Sequence, residues 1–136
     1  MAGSIQWGDN LLINFEKIDE QHKKLISIMS ELHDSFQNHL SPEKEKEKET
    51  LVELISYTKY HFSTEKQLME DNNYPAMNEH LGRHKEFVKK LSELCERHQI
   101  MKIEVSREIL AFLTAWIVTH IMEDDKQFGL FLNGKA

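Results

Sequence analysis

Residues 51, 54, 55, 58, 61, 62, 65, 68 and 69 follow one another in steps of three or one that all keep to a single helical face. A helix turning about 100° per residue carries such positions as one stripe, whereas the period of a strand would scatter them over both faces. Most are apolar: Leu51, Leu54, Ile55, Phe62, Leu68 and Met69. His61 and Glu65 stand in the same stripe, where a soluble helix normally carries leucine. Such a chain must supply an apolar partner surface for this helix and a use for two inward ionisable groups.

Three further stripes supply the partners. The first predicted helix, from about Asp19 to His39, carries Leu25, Ile28, Met29, Leu32 and Phe36. The second begins at Pro42, with Ser41 as its N-cap, and runs to about Asp71. It breaks at Asn72, Asn73 and Tyr74, because polar turn formers precede Pro75 and the residue before a proline resists helix. The third runs from about Pro75 to His98 with Leu81, Phe87, Val88, Leu91 and Leu94, and the fourth from about Glu104 to Phe128 with Ile109, Phe112, Leu113, Trp116, Ile117 and Ile121, ending near Gly129. The run "EKEKEKE" at 43 to 49 alternates in sign every residue and reads as a solvated helical start. With only five glycines and two prolines, the expectation is an all-α chain. The fold expected is an antiparallel up-down four-helix bundle, with an N-terminal extended arm and a short C-terminal tail, as one domain over residues 1–136.

A net charge of -6 speaks against nucleic acid or anionic lipid as a partner, since either would need a basic face. The longest strongly apolar segment, Ile109 to Val118, is too short to span a bilayer, so no membrane insertion is expected. The first residues lack a basic segment followed by an apolar one, which leaves the cytoplasm as the expected location. The single Cys95 excludes an internal disulfide and a multi-cysteine zinc site, and a buried thiol is expected.

An i,i+4 pair on a helix lies on one face little more than one turn apart, which lets both side chains converge on one ion. His61 and Glu65 form such a pair, and so do His80 and His84, which share a stripe with residues 77, 81, 87, 88, 91, 94 and 95. His22 continues the first stripe and His120 the fourth. A lone histidine on an apolar stripe is commonly a hydrogen-bonded core residue. An inward Glu is harder to place, because burying an unpaired carboxylate costs several kcal/mol. No stripe offers a Lys or Arg at the matching level, so bound cations are the expected solution. His33, His39 and His98 have no such partner and read as surface or boundary residues. For a second inward carboxylate, periodicity alone selects Asp124, at i+4 from His120, or Glu123 at i+3.

His22 within "IDEQHKKL", His61 and Glu65 as H-x-x-x-E, His80 and His84 as H-x-x-x-H, and His120 with Asp125 as H-x-x-x-x-D resemble the hemerythrin family in order, spacing and number. Trp7 resembles that family's N-terminal tryptophan, and the likeness spans nearly the whole chain. It implies that Asp125, not Asp124, is the second carboxylate. Five residues turn through about 500°, so Asp125 would lie roughly 140° from His120 on an ideal helix. A helix end or a local π-type turn is needed to bring it inward.

The resemblance further implies two iron ions bridged by Glu65, Asp125 and an oxo or hydroxo group. His80, His84 and His120 would complete a six-coordinate iron, and His22 with His61 a five-coordinate one. O2 would bind reversibly as hydroperoxide at the open iron, for storage, transport or delivery to an oxygen-consuming enzyme. Leu25, Phe62, Trp116, Ile117 and Ile121 match the family's apolar O2 pocket, which keeps water from the bound gas. A monomer acting without catalysis is the expectation. The competing readings are a di-iron oxidase and a sensor of oxygen, iron or redox state. Di-iron oxidases of bundle type use Glu-x-x-His motifs, and the chain has none.

Overall fold

In the computed structural model, residues 7–37, 44–101 and 103–134 are described. The expected helix start at Ser41 and Pro42 and the residue His39 lie outside them, as do the side chains of Phe36, Cys95 and His98. Four long helices form the body: α1 (Glu16–Gln37), α2 (Lys44–Asp71), α3 (Met77–Met101) and α4 (Ile103–His120). A five-residue π turn, Ile121–Asp125, continues α4 into α5 (Lys126–Leu132). Each long helix packs on the next and α4 closes the ring on α1, which is an up-down four-helix bundle.

The helix ends follow from local chemistry. Before α1, Asn14 takes a left-handed conformation at φ 63°, which an Asn tolerates better than other non-glycine residues. Asp19 then accepts backbone bonds from Ile13 N at 2.8 Å and Phe15 N at 3.2 Å. Because Asp19 reaches back over donors that precede it, the helix starts at Glu16, one turn earlier than the stripe suggested. The arm before it is not simply extended. A short 3-10 turn, Asp9–Leu11, interrupts it, and Leu11 and Ile13 are buried in the core.

At the end of α2, Asn73 is left-handed at φ 54°, Tyr74 N donates to Met69 O at 3.0 Å and Asn73 N to Glu70 O at 3.3 Å. This is a Schellman stop, with Tyr74 and Met69 supplying its usual hydrophobic contact. The turn that follows delays α3 to Met77. Gly129 does not end the fourth helix, which runs on to Leu132. Its missing side chain serves packing instead. A Cβ there would stand 2.5 Å from Ile13 O and 2.9 Å from Ile13 Cβ, so the glycine lets the arm cross α5.

Two apolar clusters result. The larger contains Leu25, Met29, Leu32, Leu54, Phe87, Leu94, Ile109 and Leu113, the stripe residues of all four helices. Burial of each such side chain contributes about 1.5 to 3 kcal/mol. The smaller one, Met69, Tyr74 and Phe128, closes one end of the bundle. His80 faces Tyr74 and Phe128 of the small cluster while His84 faces Phe62 of the large one, so the inward polar residues lie where the two clusters meet.

Candidate metal centre

His22 from α1, His61 and Glu65 from α2, His80 and His84 from α3, His120 from α4 and Asp125 from the π turn are all buried. Their donor atoms form two groups: Glu65, His80, His84 and His120 in one, and His22, His61, Glu65 and Asp125 in the other. Each carboxylate is divided between them. Glu65 Oε1 faces His80, His84 and His120, while its Oε2 faces His61 and His22. Asp125 Oδ1 faces His80 and His120, while its Oδ2 faces His22 and His61.

In the two-histidine group the donors stand at two spacings. The shorter are His22 Nε2 to His61 Nε2 at 3.0 Å, His22 to Asp125 Oδ2 at 2.9 Å and His61 to Glu65 Oε2 at 3.3 Å. The longer, His22 to Glu65 Oε2 and His61 to Asp125 Oδ2, are both 4.0 Å. Donors about 2.1 Å from one ion and at right angles stand about 3.0 Å apart, and opposed donors about 4.2 Å. The three-histidine group follows the same rule. Edges of 2.9 to 3.3 Å join His84 to His120, Glu65 Oε1 to His80 and His84, and Asp125 Oδ1 to His80 and His120, while His120 to Glu65 Oε1 is long at 3.8 Å.

Hydrogen bonding alone does not account for this closeness. Glu65 Oε2 and both oxygens of Asp125 are buried without an aligned hydrogen-bond donor, although ring nitrogens lie within 3.3 Å of each. Among the described residues, no Lys or Arg pairs with either carboxylate. Ring nitrogens and carboxylate oxygens stand 2.9 to 4.0 Å apart in both groups, an arrangement that suits cations between them. The donor set therefore fits two ions of octahedral preference.

The outer nitrogens of two rings fix their tautomers. His120 Nδ1 donates to Asp124 Oδ2 at 2.8 Å, and a carboxylate can only accept. His61 Nδ1 donates to Gln21 Oε1 at 2.8 Å, and the Gln21 amide is itself oriented by Thr64 Oγ1 at 3.1 Å. In the neutral rings both Nε2 atoms are thus lone pairs turned toward the site. Without a cation the balance changes. Burial alone would hold the imidazolium of His61 down, but the Glu65 carboxylate, with help from Asp125, pushes its pKa up to about 9. For His120 the same contest, led by Asp125 against burial, ends at about 10. Burial would raise Glu65, yet the charge of His61 and the close approach of His120 and His80 hold it well below the usual carboxylate range. Burial dominates at His84, whose pKa is lowered.

The π turn decides which acidic side chain is buried. It adds a residue to the turn after His120, so that Asp125 at i+5 is fully buried with its oxygens between the two groups. Asp124 lies at the rim, and Arg83 binds its Oδ1 at 3.0 Å. Glu123 is exposed. Of the expected pocket residues, Leu25, Phe62, Ile117 and Ile121 are buried in the larger cluster, with Trp116 packed against it. Phe62 stacks on the His84 ring at 3.7 Å and Trp116 on the His120 ring at 4.4 Å. His33 is half-buried, with its Nδ1 3.9 Å from Asp34 and apart from the seven. Sequence reasoning did not single out Gln21, Arg83 or the hydrogen bond from His120 to Asp124. A signal was present for Gln21, a buried polar residue adjoining a stripe histidine, and for Asp124, at i+4 from His120.

A four-helix bundle with five inward histidines and two shared carboxylates defines a histidine-rich, two-centre class of metal protein. The model of the hemerythrin HHE cation binding domain matches residues 14–131. The chain therefore belongs to the hemerythrin family. Bacteriohemerythrin of Stenotrophomonas maltophilia (strain R551-3) is 32% identical over 123 residues, covering 90% of this chain and 78% of that protein. Bacteriohemerythrin of Pseudomonas aeruginosa (strain LESB58) is 34% identical over 119 residues, covering 88% and 75%. Myohemerythrin of Theromyzon tessulatum is 28% identical over 123 residues, covering 90% and 89%. The crystal structure of wild-type hemerythrin superposes with a TM-score of 0.81 at 25% identity, covering 93% of this chain and 96% of that one.

Proposed function

We propose that this chain is a non-haem di-iron protein that binds O2 reversibly for storage, transport or delivery to an oxygen-consuming enzyme. The observation that carries the reading is the split of each carboxylate between two histidine groups of unequal size. Glu65 and Asp125 would bridge the ions, His80, His84 and His120 would complete one, and His22 with His61 would serve the other. Imidazole and carboxylate donors suit ferrous iron, which supplies the electrons that hold O2. His22, His61, Glu65 and Asp125 would give that ion four donors, fewer than the other would have, leaving it positions for a solvent-derived oxo or hydroxo group and for O2.

The surrounding side chains serve retention. Leu25, Phe62, Trp116, Ile117 and Ile121 would exclude water and proton donors from the bound gas, which favours its return as O2. A shell richer in imidazole than in carboxylate is a weaker electron donor than that of the bundle oxidases, so binding is favoured over substrate oxidation and no catalytic residue is assigned. Among the described residues no helix is long and apolar enough to cross a membrane. We place the protein in the cytoplasm, as a monomer.

The test is an optical spectrum of iron-analysed protein, reduced without air, exposed to O2 and then stripped of it. Two irons per chain and a visible band that appears and vanishes over repeated cycles are expected. Rapid irreversible oxidation coupled to turnover of a substrate would replace this reading with the oxidase one.

A further inference from the structure

We propose that Asp124, pinned by Arg83, is a positioning residue that strengthens His120 as a donor and so lowers the reduction potential of the three-histidine iron. The inference rests on the di-iron reading above. Its basis is that the His120 ring lies between two consecutive aspartates: Nε2 is 3.1 Å from Asp125 Oδ1 and Nδ1 is 2.8 Å from Asp124 Oδ2. An unbroken α-helix would bring only the i+4 carboxylate to the ring. The π turn lets i+4 meet one edge and i+5 the other.

Asp124 is also held from the other side. Arg83, between His80 and His84 on α3, binds its Oδ1 at 3.0 Å and leaves Oδ2 for the imidazole, so the tie crosses from α3 to the end of α4. A carboxylate draws on the Nδ1 proton more strongly than a neutral acceptor and leaves more electron density on Nε2. The other described pairing is neutral, because His61 Nδ1 meets the Gln21 amide oxygen. His22 Nδ1 is buried with no hydrogen-bond partner. The ring with a charged acceptor thus belongs to the three-histidine group, whereas His61 and His22 of the other group have an amide and no partner. Such a gradient would favour the higher oxidation state at the ion held by His80, His84 and His120.

Asp124 can be changed without opening the core. A cavity of about 200 Å³, lined by Arg83, Trp116, Thr119, His120, Glu123 and Asp124, adjoins this edge of the ring, and the Asp124 side chain is 15% exposed. Asp124→Asn keeps the shape and the acceptor but removes the charge. Gln21→Glu does the reverse behind His61.

The experiment has two readouts on folded full-length protein. In the first, metal-free protein competes with a chelator for Co(II), and Asp124→Asn is expected to weaken one of two sites about tenfold or more while leaving the other. In the second, the iron-loaded Asp124→Asn protein is expected to have a midpoint potential raised by about 59 mV, a tenfold change for a one-electron couple. Gln21→Glu is expected to move the potential down. A loss of packing would not produce opposite signs from the two substitutions. Equal Co(II) affinities and an unmoved potential in Asp124→Asn would overturn the proposal, as would a potential that rises in Gln21→Glu. If the parent protein binds no Co(II), the metal-centre reading falls with it.

Discussion

The two donor groups share both carboxylates yet stand in different surroundings. Around the three-histidine group the rings are wedged between aromatic faces: Phe62 on His84, Trp116 on His120, Phe87 on Trp116, with Tyr74 and Phe128 edge-on to His80. His22 and His61 pack edge to face against each other, and His61 is backed by an amide. The difference teaches how one sequence gives two donor groups that share their carboxylates two unlike environments. Stacking on one aromatic face each fixes the rings of His84 and His120.

The comparison would break most visibly at Asp125, because its oxygens belong to both groups. Asp125→Ala is expected to reduce iron from two per chain to well below one, and Asp124→Ala to leave most of it. Metal analysis of the purified variants checks this. Equal losses would show that the π turn does not set the second bridge.

A smaller and opposite effect is expected when the cations are removed. His61 and His120 are raised to about 9 and about 10 in the metal-free site, above an unfolded value near 6.5. Groups raised in this way stabilise the fold fully below about pH 6.5, and that contribution is lost as pH climbs through their folded values. Glu65 and Asp125 are depressed, so their contribution is present above the unfolded carboxylate range and lost as pH falls below it. Metal-free protein should therefore be most stable near pH 5 to 6.5 and lose on the order of 10 °C in melting temperature by pH 10. Metal-loaded protein should not follow, since binding displaces those protons and tightens as pH rises. A metal-free melting temperature that stays level from pH 6.5 to 10 would contradict the charge compensation assigned to the histidines.

What the stripes conveyed and what they missed divides along physical lines. Helical phase is a local, repeated property, so Leu54, His61, Glu65, His80 and His84 could be placed on inward faces from spacing alone. The same rule failed to bring Asp125 inward. Ideal periodicity is what the π turn breaks, and only the ordered likeness to a known family pointed past it. Helix ends were less legible because they depend on single contacts. The backward reach of Asp19 moved the start of α1, and Gly129, a stop by composition, is a crossing point because Ile13 lies against it. The bonds at Gln21 and Asp124 needed three dimensions, since the first joins α1 to α2 and the second is tied by Arg83 of α3.

The subtlest effect concerns the apolar side chains proposed to shelter O2. Ile117 is almost fully buried, three residues before His120 and four before Ile121, on the stripe that faces the site. Ile117→Gln keeps a comparable length but brings an amide that can donate to bound oxygen or hold a water beside it. Iron content should be unchanged, because no donor is altered. Loss of O2 as reduced oxygen should accelerate several-fold, since a proton source then adjoins the gas. The decay of the oxygenated band, timed against that of the parent protein, measures it. An unchanged rate with full iron would remove Ile117 from the lining and shift the protective role to Leu25 and Ile121, buried in the same cluster.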